Sequence, residues 1–233
     1  MSRTIVSSWF AISPRREPVA ASTSVIYRSA RGYEVLMRVL YGRHYDARMR
    51  VVADRVPPGA SVLELCCGPG TLYFRYLRDR SAGYVGLDLN AHIVARLRRR
   101  GVDARQFDLA VACEPLPVAD AVIMQASLYH FLPDAGRIVD RMLAAARERV
   151  IISEPIRNLA SSTVPGVALI GRRAADPGSG GHTERFTEAT LDQLMDRHRG
   201  QVVSAFTIPG GREKVYVLAP ESSSAPAGST REG

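Results

Sequence analysis

From about residue 45 onward, apolar positions follow two alternating rhythms. Short, mostly apolar runs read as strands, Ser61–Leu65, Tyr84–Asp88, Ala121–Gln125 and Val150–Glu154, the first of them covered on both faces, and a further strand is expected at about Ala104–Phe107. Between them the spacing is helical. Thr71–Arg80 follows the first strand. Ala91–Arg100 keeps Ile93, Val94 and Leu97 on one face, and Asp134–Glu148 keeps Ile138, Val139, Met142, Leu143 and Ala146 inward. Strands alternating with helices predict an α/β, doubly wound sheet. The pattern then changes. Thr187 is placed to cap a helix running to about His198. Gln201–Ile208 and Lys214–Ala219 alternate apolar and polar residues around Pro209-Gly210-Gly211, which reads as an antiparallel hairpin.

The flanks are less regular. Residues 1–23 have no clear period and read as a flexible segment. Two helices are expected next, Ser24–Tyr41 with Val35, Leu36, Val39 and Leu40 on one face, and Tyr45–Arg55, ended by Pro57-Pro58-Gly59. The aromatic stretch Tyr41–Tyr45 between them, which includes His44, either docks this helical pair on the core or makes residues 24–56 a lid over a ligand. Arg157–Arg185 carries the apolar piece Val164–Ile170 and the loop Asp176–Gly181, and its length marks it as a lid or insert. Residues 220–233 read as a disordered tail. Residues 24–219 are expected to form one domain.

Composition narrows the class. The 233 residues are 46% hydrophobic and 23% charged, ordinary material for one core. The net charge is +8, and Lys214 is the single lysine beside thirty arginines. A solvated basic surface accounts for such a balance, with attraction to acidic substrates, nucleic acid or anionic lipid as the alternative. Three cysteines, two of them adjacent, suit a reducing cytoplasm, and no Cys/His cluster points to a metal. No apolar run approaches the roughly 18 residues of a membrane span, so membrane insertion is not expected.

The chemistry concentrates at Val62-Leu63-Glu64-Leu65-Cys66-Cys67-Gly68-Pro69-Gly70-Thr71. Gly68 and Gly70 let the backbone turn sharply and a ligand approach, and the helix start behind them offers N–H groups. A dinucleotide fingerprint would place a third glycine where Tyr73 stands, and its strand would be apolar where Glu64 stands. A carboxylate at Glu64 can accept from an ammonium group, so an amino acid moiety fits this turn better than a pyrophosphate.

These residues resemble the first motif of the class I S-adenosylmethionine-dependent methyltransferases, with Cys66-Cys67 departing from it where a glycine is commoner. The resemblance continues through Tyr84–Asn90, where Asp88 ends the second strand, through Arg105–Leu109 with Asp108, and through Ser127-Leu128-Tyr129-His130-Phe131 after strand four. That last stretch is similar to small-molecule and quinone-type methyltransferases. The likeness spans roughly Tyr45 to Ala219. It implies a Rossmann-like, seven-stranded, mostly parallel sheet with a C-terminal antiparallel hairpin strand. It also implies S-adenosyl-L-methionine as cofactor, held by Tyr45, Glu64, Cys66, Gly68, Gly70, Asp88, Leu89, Asp108, Leu109 and Gln125. Asp88 would accept from the ribose hydroxyls, and Asp108 would face the adenine amino group.

Methyl transfer asks for an aligned acceptor and, for some acceptors, a base. His130 is the candidate base and Tyr129 its companion. Glu154 and His182 are weaker candidates. The alternative for His130 is a histidine packed at a strand end. The segment after strand four lacks the Asn/Asp-Pro-Pro-Tyr/Phe motif of amino-directed nucleic-acid methyltransferases, so a nucleic-acid substrate is not expected. The expected acceptor is a small molecule such as a secondary metabolite, quinone or lipid precursor, handled by a monomer or homodimer. The rival readings are a non-catalytic cofactor-binding partner subunit, an NAD(P)-dependent oxidoreductase and an RNA methyltransferase.

Overall fold

The structure is a computed structural model, and it describes Arg38, residues 42–157 and residues 184–221. All of the expected helix Ser24–Tyr41 except Arg38, the segment 1–23, the loop Asp176–Gly181 with His182, and nearly all of the tail lie outside the described residues.

Seven strands form one sheet in the order β3-β2-β1-β4-β5-β7-β6. They are β1 (Ser61–Leu65), β2 (Gly83–Asp88), β3 (Asp103–Gln106), β4 (Ala119–Gln125), β5 (Ala146–Pro155), β6 (Val202–Thr207) and β7 (Glu213–Leu218). β1 to β5 pair in parallel, and β7 runs antiparallel to both β5 and β6. The expected fold class is therefore observed. The strand order reverses at β1, with β2 and β3 on one side and β4 on the other. Ligands of open α/β sheets bind outside the carboxyl ends of the strands at such a point.

Among the described residues four α-helices flank the sheet: α1 (Tyr45–Ala53), α2 (Ala91–Arg99), α3 (Ala135–Ala145) and α4 (Glu188–Met195). Strand alternation sends side chains to two cores. One face gathers Leu63, Leu65, Val122, Met124, Val150 and Ile152 against α3 and α4. The other gathers Val62, Ile123, Ile151, Val215 and Val217 against Met49, Val52 and Ala53 of α1. β6 is one edge of the sheet, opposite β3, and its residues alternate between half-buried and exposed.

Three local expectations are corrected. The helix after β1 is α-helical only at Thr71 and Leu72, then becomes a π-helix over Tyr73–Leu77, in which Arg78 N–H reaches back to Tyr73 O at 2.9 Å. Ten residues of apolar pattern cannot separate the two helical periods. The third long helix stops at Ala145 rather than Glu148, because Ala146 pairs with Ala119 and opens β5. Ala146 suits the helical stripe and the ladder alike, and the ladder supplies backbone partners. The last helix ends at Met195 and passes into a 3-10 helix, Asp196–Gln201. Among the described residues no helix is long and apolar enough to cross a membrane.

Candidate functional site

The glycine turn after β1 is built from left-handed backbone. Cys66, Gly68 and Gly70 have φ of 53°, 53° and 72°. Glycine adopts this region freely and cysteine does not, so the departure at Cys66 is accommodated at a cost in backbone strain. Cys67 N–H donates to Leu87 O at 3.0 Å, which ties the turn to β2. A Cβ at Gly70 would lie 2.9 Å from Leu97 Cδ2, so this glycine serves close packing on α2. A Cβ at Gly68 would meet nothing within 4 Å, so the open space for a ligand begins there.

Asp88 closes β2 beside that space. One carboxyl oxygen accepts from Gly68 N–H and the other from Asn90 N–H, each at 2.8 Å. The carboxyl is fixed, yet each oxygen keeps an acceptor site. Burial raises the Asp88 pKa, and the two N–H bonds oppose that shift. Leu89, the next residue, is 61% exposed and presents an apolar surface beside the acid.

Glu64 is buried, and its Oε2 accepts from Tyr84 O–H at 2.6 Å. Burial pushes its pKa up to about 7, against the Tyr84 bond that lowers it. Tyr84 stacks at 4.2 Å on Tyr73, the residue in place of a third glycine. That aromatic pair occupies the ground where a dinucleotide fold packs helix on strand through glycine.

The other proposed contacts are placed differently. Asp108 Oδ1 accepts from Ala110 N–H at 2.9 Å, a turn-forming bond within its own loop. Leu109 is buried in the core, and its carbonyl accepts from Arg141. Gln125 ends β4 and donates to Arg48 O at 3.2 Å. Tyr45 is buried at the start of α1, with the Arg38 and Arg75 guanidinium carbons 5.5 and 6.0 Å from its ring centre.

After β4 the chain passes through Ala126, also left-handed with φ of 52°, into the 3-10 helix Leu128–Phe131. Tyr129 and His130 are half-buried, with ring centres 4.0 Å apart. His130 also lines a cleft with Ala110, Phe131, Leu132, Arg137 and Ile138.

A family described as a methyltransferase domain matches residues 39–207, most of the chain. This protein belongs to that methyltransferase domain family. No curated protein matches the sequence. Solved structures share the fold. A chain of the Haloferax volcanii complex between the Trm112 methyltransferase activator and the putative methyltransferase is 14% identical, with TM-score 0.63 over 87% of this chain and 99% of that one. A SAM-dependent methyltransferase from Thermotoga maritima, a possible histamine N-methyltransferase, is 15% identical, with TM-score 0.58 over 84% and 98%. Magnesium protoporphyrin IX methyltransferase from Synechocystis PCC 6803, solved with bound SAH, is 16% identical, with TM-score 0.55 over 83% and 95%.

The cofactor of this methyltransferase domain is S-adenosylmethionine. The site's donor set suits it. Glu64 and Asp88 put two carboxyls around the glycine turn, matched to a cationic ligand with hydroxyls, and the space at Gly68 leaves room for it.

At the methyltransferase edge one contact escaped the sequence reading, and Glu154, a weaker catalytic candidate there, takes a holding place. Arg185 lies with its guanidinium carbon 3.8 Å from the Tyr129 ring centre, a cation–π contact between residues far apart in the chain. Glu154, fully buried at the end of β5, accepts from Ser127 and Leu128 N–H, each at 2.6 Å, and so holds the segment carrying Tyr129 and His130. Burial pushes its pKa up to about 8. Its place at a strand's carboxyl end is what made Glu154 a weaker candidate base in the sequence. Nothing in sequence spacing linked Arg185 to Tyr129.

Proposed function

We propose that this methyltransferase domain transfers a methyl group to a small-molecule acceptor, a secondary metabolite, quinone or lipid precursor. The observation that carries the reading is Asp88, held between two backbone N–H groups beside the open space at Gly68. In this reading its remaining acceptor sites take the two ribose hydroxyls. Glu64 receives the ammonium group, and Leu89 covers one face of the adenine.

Bound S-adenosylmethionine supplies an electrophilic methyl on a sulfonium. The protein's part is to aim an acceptor atom at that methyl and to exclude water. Tyr129 and His130 stand at the carboxyl end of β4, where a base can take a proton from the acceptor. Glu154 holds this segment in place through its two N–H bonds.

Calorimetry with S-adenosylhomocysteine tests the binding half. Asp88→Ala is expected to weaken affinity at least ten-fold, because two hydroxyls lose a charged acceptor. Undiminished affinity would remove the ribose assignment. Labelled methyl transfer to a small-molecule extract tests the catalytic half. Transfer by the native chain, lost in His130→Ala with cofactor affinity retained, supports the base assignment. Cofactor binding without any transfer would favour a non-catalytic partner subunit.

A further inference from the structure

The carboxyl edge of the sheet is divided by charge. On the side of β1, β2 and β3 it carries Glu64, Asp88 and Asp108. On the other side it carries Arg43, His44, Arg157 and Arg212, contributed by the approach to α1, the end of β5 and the β6–β7 turn.

Arg43, His44 and Arg157 meet at one turn, to which Arg212 belongs. Arg43 Nε donates to His44 Nε2 at 3.2 Å. A Cβ at Gly210 would lie 3.0 Å from the His44 ring, and a Cβ at Gly211 would lie 3.4 Å from the Arg157 guanidinium. The two side chains thus rest on consecutive residues, whose Cα atoms are about 3.8 Å apart. Arg212 follows directly, and its carbonyl accepts from Ile156 N–H at 2.9 Å, one residue before Arg157. Gly210 and Gly211 have φ of 95° and 63°, so the turn favours glycine for its backbone, and the missing side chains admit the imidazole and guanidinium.

The neighbouring acids are already committed. Asp46 pairs with Arg75 at 2.9 Å, and buried Glu213 pairs with Arg48 at 2.7 Å. No ion pair joins Arg43, Arg157 or Arg212 to a described carboxylate. Among the described residues, the Arg43 and Arg157 guanidinium groups therefore stand at this turn without an ion-paired carboxylate, and Arg212 belongs to the turn itself. Their forked donors match the oxygens of a carboxylate or phosphate. Arg185 on Tyr129 adds a further cation beside His130.

We infer that this patch receives an anionic group of the methyl acceptor, a carboxylate or a phosphate, so that the substrate of the proposed transfer is an anion. The inference rests on the methyl-transfer reading above. Acids then face the cationic cofactor at one end of the edge, and arginines face the anionic acceptor at the other.

Labelled S-adenosylmethionine is supplied together with a small-molecule extract split by anion exchange into retained and unretained fractions. Label is expected to enter the retained fraction. Within that fraction, phosphatase treatment separates phosphate acceptors from carboxylate acceptors. Arg157→Glu with Arg212→Glu is expected to lower the transfer at least ten-fold, with S-adenosylhomocysteine affinity unchanged within two-fold. Arg96→Glu with Arg99→Glu, an equal change of net charge on exposed positions of α2, is expected to leave the transfer unchanged. Inorganic pyrophosphate binding to protein saturated with S-adenosylhomocysteine reads the patch without turnover, and only the first pair of substitutions should weaken it. Transfer confined to the unretained fraction overturns the inference, as does equal loss in both variants. Transfer to RNA in place of small molecules also overturns it. Failure to bind S-adenosylhomocysteine would instead sink the methyl-transfer reading, and pyrophosphate binding to the unliganded protein and its two double variants would still decide whether the patch takes an anion.

Discussion

Gly70 shows how much one position in the turn can depend on lacking a side chain. Its φ of 72° is left-handed, and a Cβ there would sit 2.9 Å from buried Leu97 Cδ2. Left-handed backbone costs an ordinary residue roughly 1–2 kcal/mol, and forcing Leu97 aside adds to it. Gly70→Ala is therefore expected to lower unfolding stability by about 2 kcal/mol or more, read as a lower urea midpoint at unchanged slope. Gly68→Ala meets open space and carries only the backbone part. Its cost should be smaller in urea, and its larger effect should fall on cofactor affinity, measured by calorimetry. A glycine pair in a strand-turn-helix context announces such backbone, and so both positions were legible in the sequence. Cys66 was not, since nothing in a cysteine signals φ of 53°.

The elements themselves were readable because each buried strand of the parallel sheet is apolar on both faces, and β1 was read to the residue. What could not be read was how elements hold one another. Arg48 on α1 and Glu213 opening β7 form a buried ion pair at 2.7 Å, and Ser153 Oγ donates to Glu213 Oε2 at 3.0 Å. Gln125 adds its bond to the Arg48 carbonyl. These contacts join α1 to β4, β5 and β7 across long stretches of chain, and Arg48 looks in sequence like any other arginine of an arginine-rich helix. They make α1 a wall fixed to the sheet, in keeping with the docking alternative for the aromatic stretch before it. Removing one partner of a buried ion pair costs about 3–5 kcal/mol. Glu213→Ala is expected to destabilise by that amount in chemical denaturation. Arg48→Met with Glu213→Leu should lose markedly less, because neither charge remains. A smaller interaction tests α4, where Thr187 and Thr190 bond reciprocally as a capping box. Thr187→Ala should cost about 1 kcal/mol.

Across the whole molecule, the acids that line the carboxyl edge set the response to pH. Glu64 and Glu154 have pKa values raised by burial to about 7 and about 8, and Asp88 is raised as well. In the unfolded chain these groups titrate near 4, so between about pH 4.5 and 8 the folded protein holds more protons than the unfolded one. Stability therefore falls as pH rises through this window, by up to about 1.4 kcal/mol per pH unit for each excess proton. The lowered pKa values of Asp103, Asp120 and Asp192 act with the opposite sign and only at more acid pH, as those groups protonate. Urea unfolding is accordingly expected to show greater stability at pH 5.5 than at pH 8, the reverse of a protein governed by exposed ion pairs. Glu64→Gln with Glu154→Gln removes two of the titrating groups and should flatten the slope across the window. A ligand that places an ammonium group against Glu64 favours the charged form, so S-adenosylhomocysteine should protect more at pH 8 than at pH 5.5. An unchanged slope in the double variant would show that the edge acids do not govern the response. Protection independent of pH would remove Glu64 from the ammonium contact.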